Sequence, residues 1–270
     1  MPDGQMSAEA MPGDELLYEV RDGVGWVTLN RPHARNALTF EMYERLADIC
    51  NSMPTDGTVH ALVIKGAGEK AFAAGTDISL FHDFNTPEQG LAYERTSEKQ
   101  FQAYENCPVP VIAAISGACT GGGAAIAACA DMRFATESLK FGFPISKTLG
   151  NCLSVRTLSR CVKHIGEART KDLIISSRLI RADEAKHIGL VNEVLPDHAA
   201  LMARVTEFAV GLKDHAPLTI QATKVLLKRL FEEGPDAKDD DWVAKVYSSA
   251  DFKEGREAFL EKRKPVWQAK

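Results

Sequence analysis

The stretch that decides the fold is Ile115-Ser-Gly-Ala-Cys-Thr-Gly-Gly-Gly-Ala-Ala125. It follows the apolar run Val109-Pro-Val-Ile-Ala-Ala-Ile115, which predicts a strand buried on both faces. The glycine triplet at 121–123 predicts a tight turn that opens a helix. Such a helix start presents backbone N–H groups at the positive end of the helix dipole, where an oxyanion binds well. The stretch therefore predicts a strand–turn–helix unit with a candidate anion site at the turn.

A second run of small residues, Lys70-Ala-Phe-Ala-Ala-Gly-Thr-Asp-Ile78, has a similar context. It comes just after the apolar strand predicted at 61–64, and its small side chains let a ligand approach the main chain. Each run alone is equally compatible with an ordinary strand-to-helix turn. Two such runs, each directly after a strand, favour a binding site.

Strand and helix signals alternate through the first two-thirds of the chain. Strands are predicted at Val24–Leu29, 132–134 and 189–195, and a helix is predicted from the capping residue Thr86 to Asn106. After Pro217 the pattern is helical. These signals predict an α/β core with a helical C-terminal extension.

Composition narrows the classes of function. The net charge of −5 and the absence of a basic stripe argue against a nucleic-acid partner. No apolar run approaches the roughly 20 residues that span a bilayer, so no membrane segment is predicted. The six cysteines lack a CxxC pair and His-Cys ligand spacing, which predicts a reducing, cytoplasmic setting and no metal. Residues 1–13 carry no apolar period and are predicted to be a disordered tail.

Several segments together resemble the crotonase family, the enoyl-CoA hydratase/isomerase superfamily. They occur in the family's order and cover nearly everything after residue 15: Asn30-Arg-Pro-His-Ala-Arg-Asn-Ala-Leu38, Ala71-Phe-Ala-Ala-Gly-Thr-Asp77, Pro110-Val-Ile-Ala-Ala-Ile-Ser-Gly117, Gly121-Gly-Gly123, Ala182-Asp-Glu-Ala-Lys-His-Ile-Gly-Leu190 and Phe259-Leu-Glu-Lys-Arg263. The resemblance implies a spiral of ββα units over residues 14–210. It also implies a helical oligomerisation region over 211–270, which would build a homotrimer or hexamer.

The resemblance also implies an acyl-CoA substrate and particular site residues. The N–H groups of Ala74 and Gly122 are expected to form an oxyanion hole around the thioester oxygen. The remaining assignments concern coenzyme A, which enters only as part of the substrate, so no separate cofactor is expected. They place Lys70 near the phosphates, Arg35 near the entering arm, and Phe259 and Lys262 near the adenine of a neighbouring subunit.

The sequence departs from the family where its hydratases carry two glutamates. Aligned on the glycine triplet, the first glutamate falls at Ala125 and the second at Ile145. Neither side chain exchanges a proton, and positioned acid–base groups commonly contribute about 10²–10⁴-fold each. The ordinary hydratase mechanism is therefore not expected, although the scaffold is.

Other polar groups are candidates for the missing chemistry. Asn151 and Cys152 follow the second vacant position, and we take Asn151 as the catalytic candidate because an amide can orient a water. Cys152 is more simply interpreted as packing in the core. Glu94 and Glu98 lie one turn apart on the helix begun at Thr86 and are more simply a solvated helix face.

Three other readings compete with a hydratase-like enzyme. Gly66-Ala-Gly-Glu-Lys-Ala71 satisfies a relaxed dinucleotide fingerprint, which makes a nicotinamide oxidoreductase the formal rival. The missing glutamates favour a non-catalytic protein that binds CoA esters. The third alternative is an enzyme of the same fold but of another reaction class, such as an isomerase or a hydrolase.

Overall fold

The computed structural model describes residues 14–270, and the predicted disordered tail at 1–13 lies outside the described residues. The strands are β1 Leu16–Arg21, β2 Val24–Leu29, β3 Ala61–Gly66, β4 Ala71–Ala73, β5 Val111–Ile115, β6 Ala118–Thr120, β7 Met132–Thr136, β8 Lys140–Gly142, β9 Ile180–Arg181 and β10 Glu193–Leu195. The helices are α1 Phe40–Asn51, α2 Pro87–Glu105, α3 Gly122–Cys129, α4 Val155–Ile175, α5 Ala182–His187, α6 His198–Gly211, α7 Pro217–Glu233, α8 Asp240–Ser248 and α9 Ala250–Glu261.

The strands form two sheets. The larger sheet has the order β1-β2-β3-β5-β7-β10 and is parallel except for the β1–β2 hairpin. The smaller sheet has the order β4-β6-β8-β9, with β4, β6 and β8 parallel and β9 antiparallel to β8. Within residues 14–270, none of the helices combines the length and apolar composition that crossing a bilayer requires.

The chain moves between the two sheets in a repeated pattern. In each of the pairs β3/β4, β5/β6 and β7/β8 the first strand joins the larger sheet and the second joins the smaller one, and a helix follows each pair. Each repeat advances one position along both sheets. The predicted α/β spiral of ββα units is therefore confirmed.

The larger sheet is buried on both faces. Strand residues alternate between a cluster shared with the smaller sheet, α1 and α3, and a second cluster covered by α6. In β3, for example, Leu62 and Ile64 belong to the first cluster and Ala61 and Val63 to the second. This two-residue alternation explains why the strand has a continuous apolar sequence.

The helix predicted from Thr86 is confirmed. Helix α2 begins after Thr86, whose side chain accepts the Gln89 N–H while the Gln89 side chain accepts the Thr86 N–H. This capping box satisfies two N–H groups that an uncapped helix leaves free. Helix α2 ends at Glu105, one residue before the predicted limit.

One strand prediction needs correction. The strand expected at 189–195 contains only Glu193–Leu195, because Gly189 adopts φ +75° in a turn that ends α5. The structure also argues against the rival dinucleotide fingerprint, because Gly66 ends β3 and strand β4 follows where that fingerprint requires a helix.

The last residues return to the body of the protein. Beyond α9, the N–H groups of Gln268 and Ala269 donate to the buried carboxylate of Asp251 at 2.7 and 3.0 Å. The Trp267 indole N–H donates to the Asp214 carbonyl at 3.0 Å. These bonds hold the C-terminal segment against the helical region formed by α7, α8 and α9.

Candidate active site

A cavity of about 280 Å³ lies beyond the ends of β4 and β6 in the smaller sheet. Its walls come from the turn after β4, the start of α3, one face of α2 and the segment between β8 and α4. The two small-residue runs identified in the sequence, around Gly75 and Gly122, both line it. The parallel pairing of β4 with β6 brings these runs together, because each run continues past the same end of the smaller sheet.

The start of α3 supplies one N–H group to this cavity. Gly122 is the first residue of the helix, and within residues 14–270 its N–H has no hydrogen-bond partner. A Cβ on Gly122 would lie 1.8 Å from the Tyr43 hydroxyl oxygen, so only glycine fits against this tyrosine. A Cβ on Gly123 would lie 2.4 Å from the Ala73 carbonyl oxygen. The glycines therefore allow the helix start to press against β4.

The turn after β4 supplies a second N–H group, and it is not the one predicted. The Ala74 N–H donates to the Arg35 carbonyl at 3.1 Å, so it is already satisfied, and the assignment of Ala74 as an oxyanion donor is wrong. The Thr76 N–H has no partner among the described residues. Leu38 bonds to the residues on either side of Thr76, and because N–H groups alternate along an extended segment, the Thr76 N–H points away from Leu38.

Three hydroxyl groups lie next to these N–H groups. The Tyr43 hydroxyl is 2.9 Å from Thr76 Oγ1, and the Tyr93 hydroxyl is 3.5 Å from the same atom. Burial raises the pKa of Tyr43 well above its usual range, so its phenol stays neutral. The hydroxyl groups therefore tie α1 and α2 to the turn that carries the Thr76 N–H.

The wall formed by α3 and by the segment after β8 carries two apolar side chains of interest. Ala125, in the first turn of α3, and Ile145, just after β8, are both buried and both line the cavity. These are the two positions where the resemblance to the hydratases places glutamates. No carboxylate lies on this wall, and neither residue can bind or activate water.

The two candidate glutamates of α2, Glu94 and Glu98, have different surroundings. Glu98 accepts two hydrogen bonds from Arg160 at 2.8 and 2.9 Å, and Arg160 also donates to Glu105 at 2.7 Å. Glu94 makes no ion pair within residues 14–270 and lines the cavity. Burial raises the pKa of Glu94, the nearby charge of Glu98 adds to this, and a hydrogen bond with Ser154 opposes it. The simpler interpretation of a solvated helix face is therefore wrong for Glu94.

The segment before α4 brings Asn151 and Cys152 to the cavity rim. Both residues are exposed and both line the cavity. The expectation that Cys152 packs in the core is wrong, because the segment from Gly150 to Leu153 has no regular structure and runs along the surface. Asn151 is placed where its amide can reach a ligand in the cavity.

The remaining predicted residues lie outside the cavity wall. Arg35 and Lys70 have exposed side chains, and their carbonyl groups accept the N–H groups of Ala74 and Ala118. Phe259 is 83% exposed on α9, and Lys262 ends that helix with φ +55°. A single chain therefore does not bring Phe259 and Lys262 into contact with the cavity.

Asp77 has a structural role beside the cavity. Its carboxylate accepts the N–H of Ser79 at 3.1 Å and caps the short helical turn Ile78–Phe81. The same carboxylate pairs with Arg31 at 2.9 Å. The hydrogen bonds from Ser79 and Arg31 lower the pKa of Asp77, so it remains an anion and holds the turn in place. Among residues 14–270, no group of His, Cys, Asp and Glu side chains is arranged to hold a metal ion.

Comparison with known proteins decides the family. The model of the enoyl-CoA hydratase/isomerase family matches residues 19–270. The chain belongs to this family, within the crotonase superfamily. It is 34% identical over 254 residues to a short-chain-enoyl-CoA hydratase of Clostridium acetobutylicum, an alignment that covers 93% of this chain and 96% of the relative. It is 31% identical to a crotonyl-CoA hydratase of Syntrophomonas wolfei, covering 94% and 98%.

The solved structures agree with this family. The crystal structure of an "enoyl-CoA hydratase/ carnithine racemase" from Magnetospirillum magneticum superposes with a TM-score of 0.88 and 35% identity, covering 96% of this chain and 97% of that one. An enoyl-CoA hydratase from Bacillus anthracis superposes with a TM-score of 0.84 and 28% identity, covering 95% and 100%. The family's members include enzymes that act on acyl-CoA thioesters, as these names state.

Sequence reasoning missed three residues of this site. The sequence does not indicate a role for Thr76, because that role depends on the bridge to Leu38, which joins residues far apart in the chain. Tyr43 and Tyr93 are apolar-face residues of α1 and α2 by pattern, and nothing local indicates that their hydroxyl groups meet at Thr76. The family's small-residue motif itself was the only available signal for Thr76.

Proposed function

We propose that the protein is an acyl-CoA enzyme that stabilises a thioester enolate with the N–H groups of Thr76 and Gly122. The observation that carries this proposal is that two residues of one cavity wall, Thr76 and Gly122, have N–H groups without a partner among residues 14–270. The position of a Cβ on Gly122 is 3.0 Å from Thr76 Oγ1, so the two residues are neighbours. A thioester oxygen seated between them receives two hydrogen bonds.

The chemistry follows from where negative charge develops. Removing a proton from the carbon next to a thioester, or adding a nucleophile across a conjugated double bond, places charge on the carbonyl oxygen. Two fixed donors stabilise that charge more than they stabilise the ground state, and losing one typically costs roughly 3–4 kcal/mol of barrier. The apolar wall at Ala125 and Ile145 keeps the local dielectric constant low, which strengthens the donors.

The proposed substrate is a coenzyme A thioester, as in the relatives named above. The predicted contacts of Arg35 and Lys70 with the coenzyme A arm, and of Phe259 and Lys262 from a neighbouring copy of the chain with its adenine, belong to this proposal. The exposed position of Phe259 is compatible with such a contact between subunits. Assembly into a trimer or hexamer is part of the same prediction.

The residues of the cavity favour enolate formation over a hydration reaction that needs two glutamates. Both positions that would hold the water-activating carboxylates carry apolar side chains. Asn151 can orient a water at the cavity rim, but an amide is a poor base. We therefore propose proton transfer at the acyl chain, seen as solvent exchange or double-bond migration, in preference to rapid addition of water.

The test is nuclear magnetic resonance of crotonyl-CoA and of a 3-enoyl-CoA with purified protein in D₂O, against a heat-denatured control. Deuterium incorporation or migration of the double bond supports the proposal. Hydration of crotonyl-CoA at the rate of an efficient hydratase contradicts it. No change in either thioester, with tight binding by calorimetry, would favour a CoA-ester-binding protein, and NADH fluorescence titration tests the oxidoreductase reading separately.

A further inference from the structure

We propose that Glu94 is the acid–base residue of this cavity, with its carboxylate taking a proton from the acyl chain and returning it at another carbon. This inference rests on the proposed function, because it needs an acyl thioester held by the N–H groups of Thr76 and Gly122. It assigns the proton transfer to helix α2 and not to the positions of Ala125 and Ile145.

The position of Glu94 is the first argument. Among the residues that line the cavity, Glu94 is the one with an acidic side chain. Glu94, Ser97 and Phe101 have the i, i+3, i+7 spacing of a single helix face, and all three line the cavity. The preceding residue, Tyr93, reaches Thr76 Oγ1 with its hydroxyl at 3.5 Å. This turn of α2 therefore lies directly beside the loop that carries the Thr76 N–H.

Glu94 also lines a second cavity, of about 790 Å³. This cavity shares six lining residues with the first cavity: Phe81, Tyr93, Glu94, Leu149, Asn151 and Cys152. Glu94 thus lies at the junction of the space beside the oxyanion donors and an apolar extension. An acyl chain that runs from the first space into the second passes this carboxylate.

The next argument is that Glu94 makes no ion pair within residues 14–270. Glu98, one turn further on, is held by Arg160, which is itself almost fully buried. No basic side chain within residues 14–270 lies within ion-pair distance of Glu94. A carboxylate in a salt bridge is a weak base, whereas a half-buried carboxylate without an ion pair can exchange a proton. The raised pKa of Glu94 is consistent with this role.

The proposed step balances without any co-reactant. For a 3-enoyl thioester, the C2–H bond breaks and the proton goes to a Glu94 oxygen. The electron pair forms a C1–C2 double bond, and the thioester oxygen becomes an anion held by the two N–H groups. Glu94 then returns the proton to C4, the electrons shift back, and the product has its double bond between C2 and C3. No atom or electron is gained or lost overall.

The experiment uses the full-length Glu94→Gln variant, which keeps the size of the side chain and removes its proton exchange. We expect the rate of double-bond migration and of deuterium incorporation from D₂O to fall by about 10²–10⁴-fold. Binding of a saturated acyl-CoA, measured by calorimetry, should change by less than about threefold. Glu94→Asp retains a carboxyl group displaced by one methylene and should recover part of the rate.

Matched controls come from the same helix. Glu88→Gln removes an exposed carboxylate from the first turn of α2 and should leave the rate unchanged. Glu98→Gln breaks the pair with Arg160 and should lower the thermal midpoint, but the exchange rate per folded protein should fall far less than in Glu94→Gln. A folded Glu94→Gln variant with the wild-type rate overturns the inference alone. A wild-type protein that exchanges no proton of any acyl-CoA overturns the proposed function and the inference together.

Discussion

At the scale of single residues, the site depends on one close contact between α1 and α3. The Tyr43 hydroxyl occupies the space that a side chain at Gly122 would need, and it bonds to Thr76 at 2.9 Å. The glycine at 122 is thus required by a neighbour as well as by any ligand. The same tyrosine holds the turn that carries the second N–H group, so a single side chain positions both proposed donors.

Replacing Gly122 with Ala tests this contact. We expect the free energy of unfolding to fall by roughly 1–3 kcal/mol, because the new methyl group overlaps the Tyr43 hydroxyl. We also expect acyl-CoA proton exchange to fall by about 10²-fold or more, because the donor is displaced. Urea denaturation and the D₂O assay measure the two effects.

The control is the same change in a Tyr43→Phe background. Without the hydroxyl oxygen, the nearest Tyr43 ring carbon is 3.2 Å from the added Cβ, so the stability cost should be smaller. The two substitutions should therefore couple by about 1–2 kcal/mol. An equal cost of Gly122→Ala in both backgrounds would show that the hydroxyl is not the obstacle.

At the scale of elements, polar side chains join α4 to the rest of the spiral. Arg160 pairs with Glu98 and Glu105 and so connects α4 to α2. One turn further on, the ring of His164 lies 2.8 Å from the Ala128 carbonyl in the last turn of α3. The buried Arg133 of β7 donates to the carbonyl groups of Ala127, Ala130 and Leu190.

His164 makes stability depend on pH. Burial, and then the charge of Arg133, lower the pKa of His164 to about 4 in the folded protein. The unfolded chain has a histidine pKa of about 6.5 and so binds the proton first as pH falls. The contribution of His164 to the free energy of unfolding is therefore fully present above about pH 6.5 and is lost progressively as the pH falls to about 4. Between pH 7.5 and 5, its contribution should fall by about 2 kcal/mol.

The measurement is urea denaturation at pH 7.5, 6 and 5 for the wild type and for His164→Gln. Glutamine keeps a donor near the Ala128 carbonyl but does not titrate, so the variant should lose about 2 kcal/mol less over this range. His33 is exposed, and His33→Gln is the matched control that should retain the wild-type pH dependence. The same pH slope in all three proteins would exclude His164 as the cause.

At the scale of the whole molecule, the helices α7, α8 and α9 remain only partly covered. Several large apolar side chains there are exposed in the single chain: Leu227, Leu230, Phe231, Val243, Tyr247, Phe252, Phe259 and Leu260. So many exposed apolar residues on one helical region are typical of a surface that contacts other subunits. This agrees with the predicted oligomerisation region at 211–270.

We expect light scattering after size exclusion to give three times the chain mass of 29.5 kDa, or six times if trimers pair. Leu260→Lys, on the exposed face of α9, should shift the mass toward that of one chain. Val20→Lys, on the exposed edge of β1, is the control and should not. A wild-type protein with the mass of one chain would contradict the predicted assembly.

Sequence patterns anticipated the elements that depend on neighbours in the chain. Helix α2 begins directly after Thr86, the capping residue that the sequence predicts. The errors occur where distant segments decide the outcome. The sequence does not show that the Ala74 N–H is occupied, because the Arg35 carbonyl that binds it is thirty-nine residues away. The predicted strand at 189–195 is longer than the observed strand Glu193–Leu195, because the apolar residues before Glu193 pack in a turn.

By itself, the sequence determined the family, the alternation of strands and helices, and the two glycine-rich turns, because these follow from local spacing and from residues with few allowed conformations. It also determined that Ala125 and Ile145 cannot transfer protons. Only the tertiary structure decided that the N–H groups of Thr76 and Gly122 have no partner within residues 14–270, and that Glu94, in contrast to Glu98, makes no ion pair there. Those outcomes depend on partners such as Arg35 and Arg160, which folding brings into contact from distant parts of the chain.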